Sequence, residues 1–159
     1  MLTTIFAIKF VHVLAAAAIF GGWLAVAIFM LLAHRSGNTS VVALTAQFVV
    51  SIEKMIMIAG LALLPLSGFP LATAIGLTAL DELWIDISLP LYAVIVLCWI
   101  GAFRTEIRIR GLAREAALDT KPLSGAYRKL FRRWCLFAAP IFTGMMVVIA
   151  LMIWQPGFD

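Results

Sequence analysis

Four long apolar stretches, separated by short polar breaks, set the outline of this chain. The first runs from about Ile5 to Ala33 and stops at His34-Arg35-Ser36-Gly37-Asn38. The second, about Met55 to Ala74, follows a more polar lead-in from residue 40 that carries Gln47, Ser51, Glu53 and Lys54. The third, Ile85 to Phe103, continues as a charged helical extension to Ala117. The fourth starts as a helix near residue 125, is apolar from Trp134 to Trp154, and ends at Gln155-Pro156-Gly157. Each apolar core holds about 20 residues, the length a helix needs to cross the hydrocarbon of a bilayer. The pattern predicts helices over about 5–33, 40–74 (crossing at 55–74), 85–117 (crossing at 85–103) and 125–154. The fold class expected is all-α, an integral membrane four-helix bundle.

Composition removes the soluble alternative. Of 159 residues, 64% are hydrophobic and 13% charged, and the mean hydropathy is +1.09. The surface of a soluble domain this size needs far more charge. With no repeat and no low-complexity linker, residues 1–159 read as one transmembrane domain. The first stretch lacks the basic start of a signal peptide, since Lys9 lies behind Ile5-Phe6-Ala7-Ile8. It also runs far past the roughly 7–15 residues of such a peptide's apolar region, so it reads as a retained helix. Cys98 and Cys135 fall toward the same membrane face on different helices and read as small buried thiols rather than a disulfide.

Charge gives an orientation. Nine of the twelve Lys and Arg residues lie from Arg104 to Arg133, whereas the loop after the second helix carries Asp81, Glu82 and Asp86 and no base. The positive-inside rule puts the basic 104–133 segment in the cytoplasm of a bacterial inner membrane, with both termini outside (N-out/C-out). Arg35 and Lys54 then fall inside as well. This topology, with contact to anionic lipid head groups, accounts for the basic segment without nucleic acid. Glu106, four residues before Arg110, reads as a helix-supporting ion pair. Lys121-Pro122-Leu123-Ser124-Gly125 reads as a turn in which Ser124 caps the fourth helix.

One ionisable residue stands deep in the first stretch. His12 shares a helix face with Ala15, Ala16, Ile19, Gly22 and Trp23, and Lys9 lies one turn nearer the helix start. Ionisable groups at membrane depth are costly and find a partner inside the bundle. Two readings fit. In one, small residues let helices approach and the imidazole hydrogen-bonds across the contact. In the other, His12 is an axial ligand of haem iron, the Ala/Gly stripe makes room for a flat macrocycle, and Lys9 pairs with a propionate.

The segment Lys9-Phe10-Val11-His12 with Gly21-Gly22 resembles the first helix of a bacterial family of four-helix integral membrane proteins catalogued as a domain of unknown function. The resemblance continues through Pro65-Leu66-Ser67-Gly68, then Trp99 and Arg104-Thr105-Glu106-Ile107-Arg108, and ends in Tyr127-Arg128-Lys129-Leu130-Phe131-Arg132-Arg133-Trp134. The K-x-x-H pattern is also similar to that of HemJ-type protoporphyrinogen oxidases and, more loosely, CopD-type copper-resistance membrane proteins. Glu53-Lys54-Met55-Ile56 resembles the start of the second HemJ helix. The HemJ likeness implies haem b on His12.

A second ligand has several candidates. His34 is 22 residues further along, about 33 Å at 1.5 Å per residue, and cannot reach the same iron. It reads as an interfacial cap near a helix end. The depth of His12 falls near Ser67-Gly68 on the second helix, Tyr92 on the third, and Met145-Met146 on the fourth. Either methionine could complete a His/Met pair, or gap-filling packing could explain both, or the iron could stay five-coordinate. Pro65, Gly68 and Pro70 suggest a bend that widens the bundle on the side of His12. Glu53 and Lys54 read either as a proton inlet or second rim, or as a helix start in the head-group region.

Hydrolase, nucleotide-binding and dithiol motifs are absent from the sequence. The first expectation is a membrane-embedded b-type haem protein that moves electrons or oxidises a small lipophilic substrate. Its site would comprise His12, Lys9, Ala16, Gly22, Gly68, Tyr92, Met145 and Met146, with a redox partner or quinone. The alternatives are a small-solute or copper permease and an accessory subunit without chemistry. For an accessory subunit, Gly21-Gly22 would be a helix contact, and a homodimer is a further candidate.

Overall fold

The structure is a computed structural model that describes residues 2–77 and 82–156; Asp81 and Gly157, named above, lie outside the described residues. Four helices among them are long and apolar enough to cross a membrane: α1 (Leu2–Ser36), α2 (Thr39–Ala74), α3 (Leu83–Leu118) and α4 (Gly125–Trp154). With 30 to 36 residues each, they rise roughly 45–54 Å at 1.5 Å per residue, more than the roughly 30 Å of hydrocarbon. Every helix therefore continues beyond the span that its apolar core requires.

Local chemistry fixes the breaks. Asn38 caps α2, its side chain accepting from the backbone N–H of Ser40 and Val41. Ser124 caps α4 by accepting from Tyr127 N–H, as the sequence led us to expect. Gly37 (φ 63°) turns the chain between α1 and α2 in the left-handed region that favours glycine. The polar lead-in and apolar core of the second stretch form one helix. It is α-helical over Thr39–Ile52 and Ile58–Ala74, with a single π-turn at Glu53–Met57 between them. Glu53 thus lies in the middle of a helix, which corrects its reading as a helix start.

α1 packs along α2, chiefly against Ile58–Ala74; α3 packs on Thr39–Ile52 and along α4. Small residues permit these approaches. Ala46 on α2 and Ala102 and Ala113 on α3 are fully buried, and backbones held this close gain the dispersion contacts that drive association in lipid. A Cβ on Gly60 would lie 2.7 Å from Ile19, and one on Gly144 would lie 2.8 Å from Ile95. Aromatic rings join α1 to α4: Trp23 stacks on Trp134 at 6.1 Å and 8°, and Phe142 meets Phe20 and Trp23 edge-on. The outer surface is apolar, with Phe6, Leu66, Leu97, Leu136 and Trp154 largely exposed. That surface is stable only against lipid tails.

Where the basic segment lies, the two connections are tied together. Thr39 Oγ1 donates to the carbonyl of Lys121, and His34 hydrogen-bonds Tyr127 at 3.1 Å while stacking on Phe131 at 3.8 Å. His34 stands at a helix end, as expected, and there it also joins α1 to α4.

Candidate functional site

Two polar constellations interrupt the apolar interior. The first centres on His12, half-way along the exposed-to-buried transition of α1. On its face Ala15, Ile19 and Trp23 are buried, Ala16 and Gly22 partly so, and Lys9 is exposed one turn away. His12 Nδ1 lies 3.0 Å from Ser67 Oγ on α2. The Ser67 hydroxyl proton is directed to the carbonyl of Leu63 at 2.5 Å. Ser67 thus links the imidazole to the α2 backbone and holds the ring through Nδ1. The ring packs over Gly68, where a Cβ would stand 3.1 Å from His12 Cε1. The sequence-expected meeting of His12 with the Ser67–Gly68 depth is present.

The other depth-matched residues are placed differently. Proline at position 65 has no N–H for the carbonyl four residues earlier, that of Leu61. The hydroxyl of Tyr92 fills that vacancy, donating to Leu61 O at 2.5 Å. Tyr92 thus ties α3 to the proline-weakened part of α2. Met145 is buried in the core beside Gly144, whereas Met146 is 55% exposed. Gly22 accommodates the π-turn: a Cβ there would lie 2.7 Å from Met57 Cε. A groove of about 370 Å³ between α1 and α2 is lined by Ala7, Ile8, Val11, Leu63, Leu66, Ser67 and Pro70. Ser67, the hydrogen-bond partner of His12, is one of its lining residues.

The second constellation was not foreseen. Glu53 on α2 and Glu106 on α3 have no exposed surface. Trp134 on α4 donates its indole N–H to Glu106 Oε1 at 2.5 Å. Glu53 faces both Glu106 and Trp99, although neither carboxyl oxygen of Glu53 nor the indole N–H of Trp99 completes a regular hydrogen bond. The structure turns Glu106 inward, away from the ion pair with Arg110 expected of a charged helix surface. A signal for this exists in the sequence. Glu106 continues the buried series Ala102, Ile109, Ala113 at steps of four, three and four, and Glu53 continues Val42, Ala46, Val49 in the same way.

Residues 6–156 match the family model described as predicted integral membrane protein (DUF2269). The chain belongs to this family. No curated protein and no solved structure matches the chain. What the family description states, an integral membrane protein, agrees with the four long apolar helices and the lipid-facing surface.

Proposed function

We propose that this DUF2269 protein is a b-type haem protein of the bacterial inner membrane, with His12 as axial ligand, that moves electrons or oxidises a small lipophilic substrate. One observation carries the reading: the His12–Ser67–Leu63 hydrogen-bond chain, which holds the imidazole through Nδ1. Ligating histidines are oriented in this way by a partner on the other ring nitrogen. The residues fit the group, because an imidazole held through Nδ1 stands beside the side-chain-free edge of Gly68 and below the exposed cation Lys9. Haem, when bound, supplies one-electron redox chemistry. The chain's own part is to ligate through His12, to hold the ring through Ser67, and to place positive charge at the rim through Lys9. The HemJ-like K-x-x-H pattern supports the same assignment. Met145 is the candidate for a second ligand, since Met146 is largely exposed.

The charge distribution supports a cytoplasmic 104–133 segment, with the start of α1 and the end of α4 outside. Lys9 and His12 then lie toward the outer leaflet, and the apolar groove beside Ser67 suits a quinone or another lipophilic redox partner. Purification from haem-replete cells tests the proposal. A Soret band is expected in the native protein and lost in His12→Ala, with the variant's helical circular dichroism unchanged. A native protein without the band, or a His12→Ala variant that keeps it undiminished, would overturn the assignment.

A further inference from the structure

The haem reading leaves Glu53 and Glu106 without a role, yet they are the most unusual residues of the interior. Carboxylates at membrane depth are expensive and mark functional positions. These two come from different helices, have no exposed surface and face each other. Among the described residues neither forms an ion pair. Lys54, Arg104 and Arg108, the nearest cations in sequence, are on the exposed sides of their helices. From the packed elements, α3 contributes Glu106 and Trp99, and α4 contributes Trp134. From α1 comes the apolar contact of Gly22 with Met57.

Two negative charges held together in this setting, with no cation between them, repel with little screening. Something positive must lie between them, and the surroundings decide what. Trp134 and Trp99 direct N–H groups at the carboxyls. Such donors stabilise a carboxylate but oppose a metal ion. Both oxygens of Glu53 and one of Glu106 lack regular partners, as does the indole N–H of Trp99, which is more than nine-tenths buried. The unused acceptors and the unused donor converge in the interior, where neither carboxyl has exposed surface. A proton is the positive ligand that such a site takes.

We infer that Glu53 and Glu106 form a carboxyl–carboxylate pair that holds a shared proton within the membrane domain. The proton sits on one carboxyl oxygen and is shared with the facing carboxylate, so the pair carries one negative charge, which the two indole N–H groups offset. The π-turn sets the geometry. The buried series on α2 runs Val49, Glu53, Met57, Gly60, with two successive steps of four. An ordinary α-helix would rotate the second step away from the core. The wider π-turn absorbs that rotation, and such turns frequently mark functional positions.

Infrared difference spectra of the full chain in lipid nanodiscs, recorded across a pH series in H2O and D2O, test this directly. The native protein is expected to show the carbonyl stretch of a protonated carboxylic acid, shifted to lower frequency in D2O. Each of Glu53→Gln and Glu106→Gln should move the band, because the remaining acid loses its charged partner, and the double variant should lose it. Trp134→Phe, which keeps both acids, should move the band without removing it and covers the case in which a glutamine variant fails to fold. His12→Ala should leave the band unchanged, which separates this site from haem binding. A native protein without the band, a band that survives the double variant, or a band removed by sodium or calcium ions at fixed pH would overturn the inference. The last of these would assign a cation instead.

Discussion

At the scale of single residues, the support of His12 is open to dissection. Ser67→Ala removes the hydroxyl that holds the imidazole through Nδ1. Loss of an orienting partner of this kind typically costs about 10–100-fold in ligand affinity, so a haem titration should show weaker binding with the Soret band retained. Gly68→Ala has a different expected effect. Its methyl would meet the ring at 3.1 Å, and His12 would have to tilt; haem binding should fall further than in Ser67→Ala. Equal affinities in the two variants would refute this account of the ring's support. Lys9→Gln should keep the haem and shift its reduction potential, since a neutralising charge at the rim is lost; an unchanged potential would leave Lys9 as an interfacial anchor. His12 and its stripe could be read from the sequence because a lone histidine stands out in an apolar run. Ser67 could be approached only through depth, and its hydrogen bond only through coordinates. Glu106 was misread because a glutamate beside Arg104 and Arg108 resembles a solvated helix surface, and for Glu53 the reading as a helix start in the head-group region was the one that failed. Their four-and-three spacing with buried alanines and valines was the stronger indication of where they point.

At the scale of the elements, α2 concentrates the irregularities, with a π-turn near its middle and two prolines beyond it. The helix count and approximate ends were legible, because runs of about 20 apolar residues permit few other structures in lipid. The π-turn was not, since it depends on α2 meeting α1 and α3 together. The Tyr92 hydroxyl on the Leu61 carbonyl gives a clean test of how a proline bend is supported. Tyr92→Phe leaves that carbonyl unpaired and should destabilise the protein by about 1 kcal/mol, measured by thermal unfolding in detergent. In a Pro65→Ala background, residue 65 regains its N–H and the carbonyl its helical partner. The same Tyr92→Phe change should then cost markedly less. Equal costs in the two backgrounds would show that the hydroxyl does not serve the bend.

At the scale of the whole molecule, the two ends differ in character. The connections at the basic end are joined through Thr39 and Lys121 and through His34 and Tyr127. The orientation proposed from charge can be checked with single cysteines. In a background of Cys98→Ser and Cys135→Ser, Lys121→Cys should react with a membrane-impermeant maleimide only after cells are opened. Gln155→Cys should react in intact spheroplasts. The reverse pattern would invert the topology and place His12 toward the cytoplasm.

The near-parallel indoles of Trp23 and Trp134 give the bundle a built-in optical reporter. Two such chromophores 6.1 Å apart couple their transition dipoles, and the coupling shapes the protein's circular dichroism. Only one of them, Trp134, donates to Glu106, so the electrostatic field of that carboxyl acts unequally on the two halves of the pair. A change of charge at Glu106 would detune one oscillator from the other, and the protein's own ultraviolet spectrum would register, without any label, the state of a group that no solvent reaches.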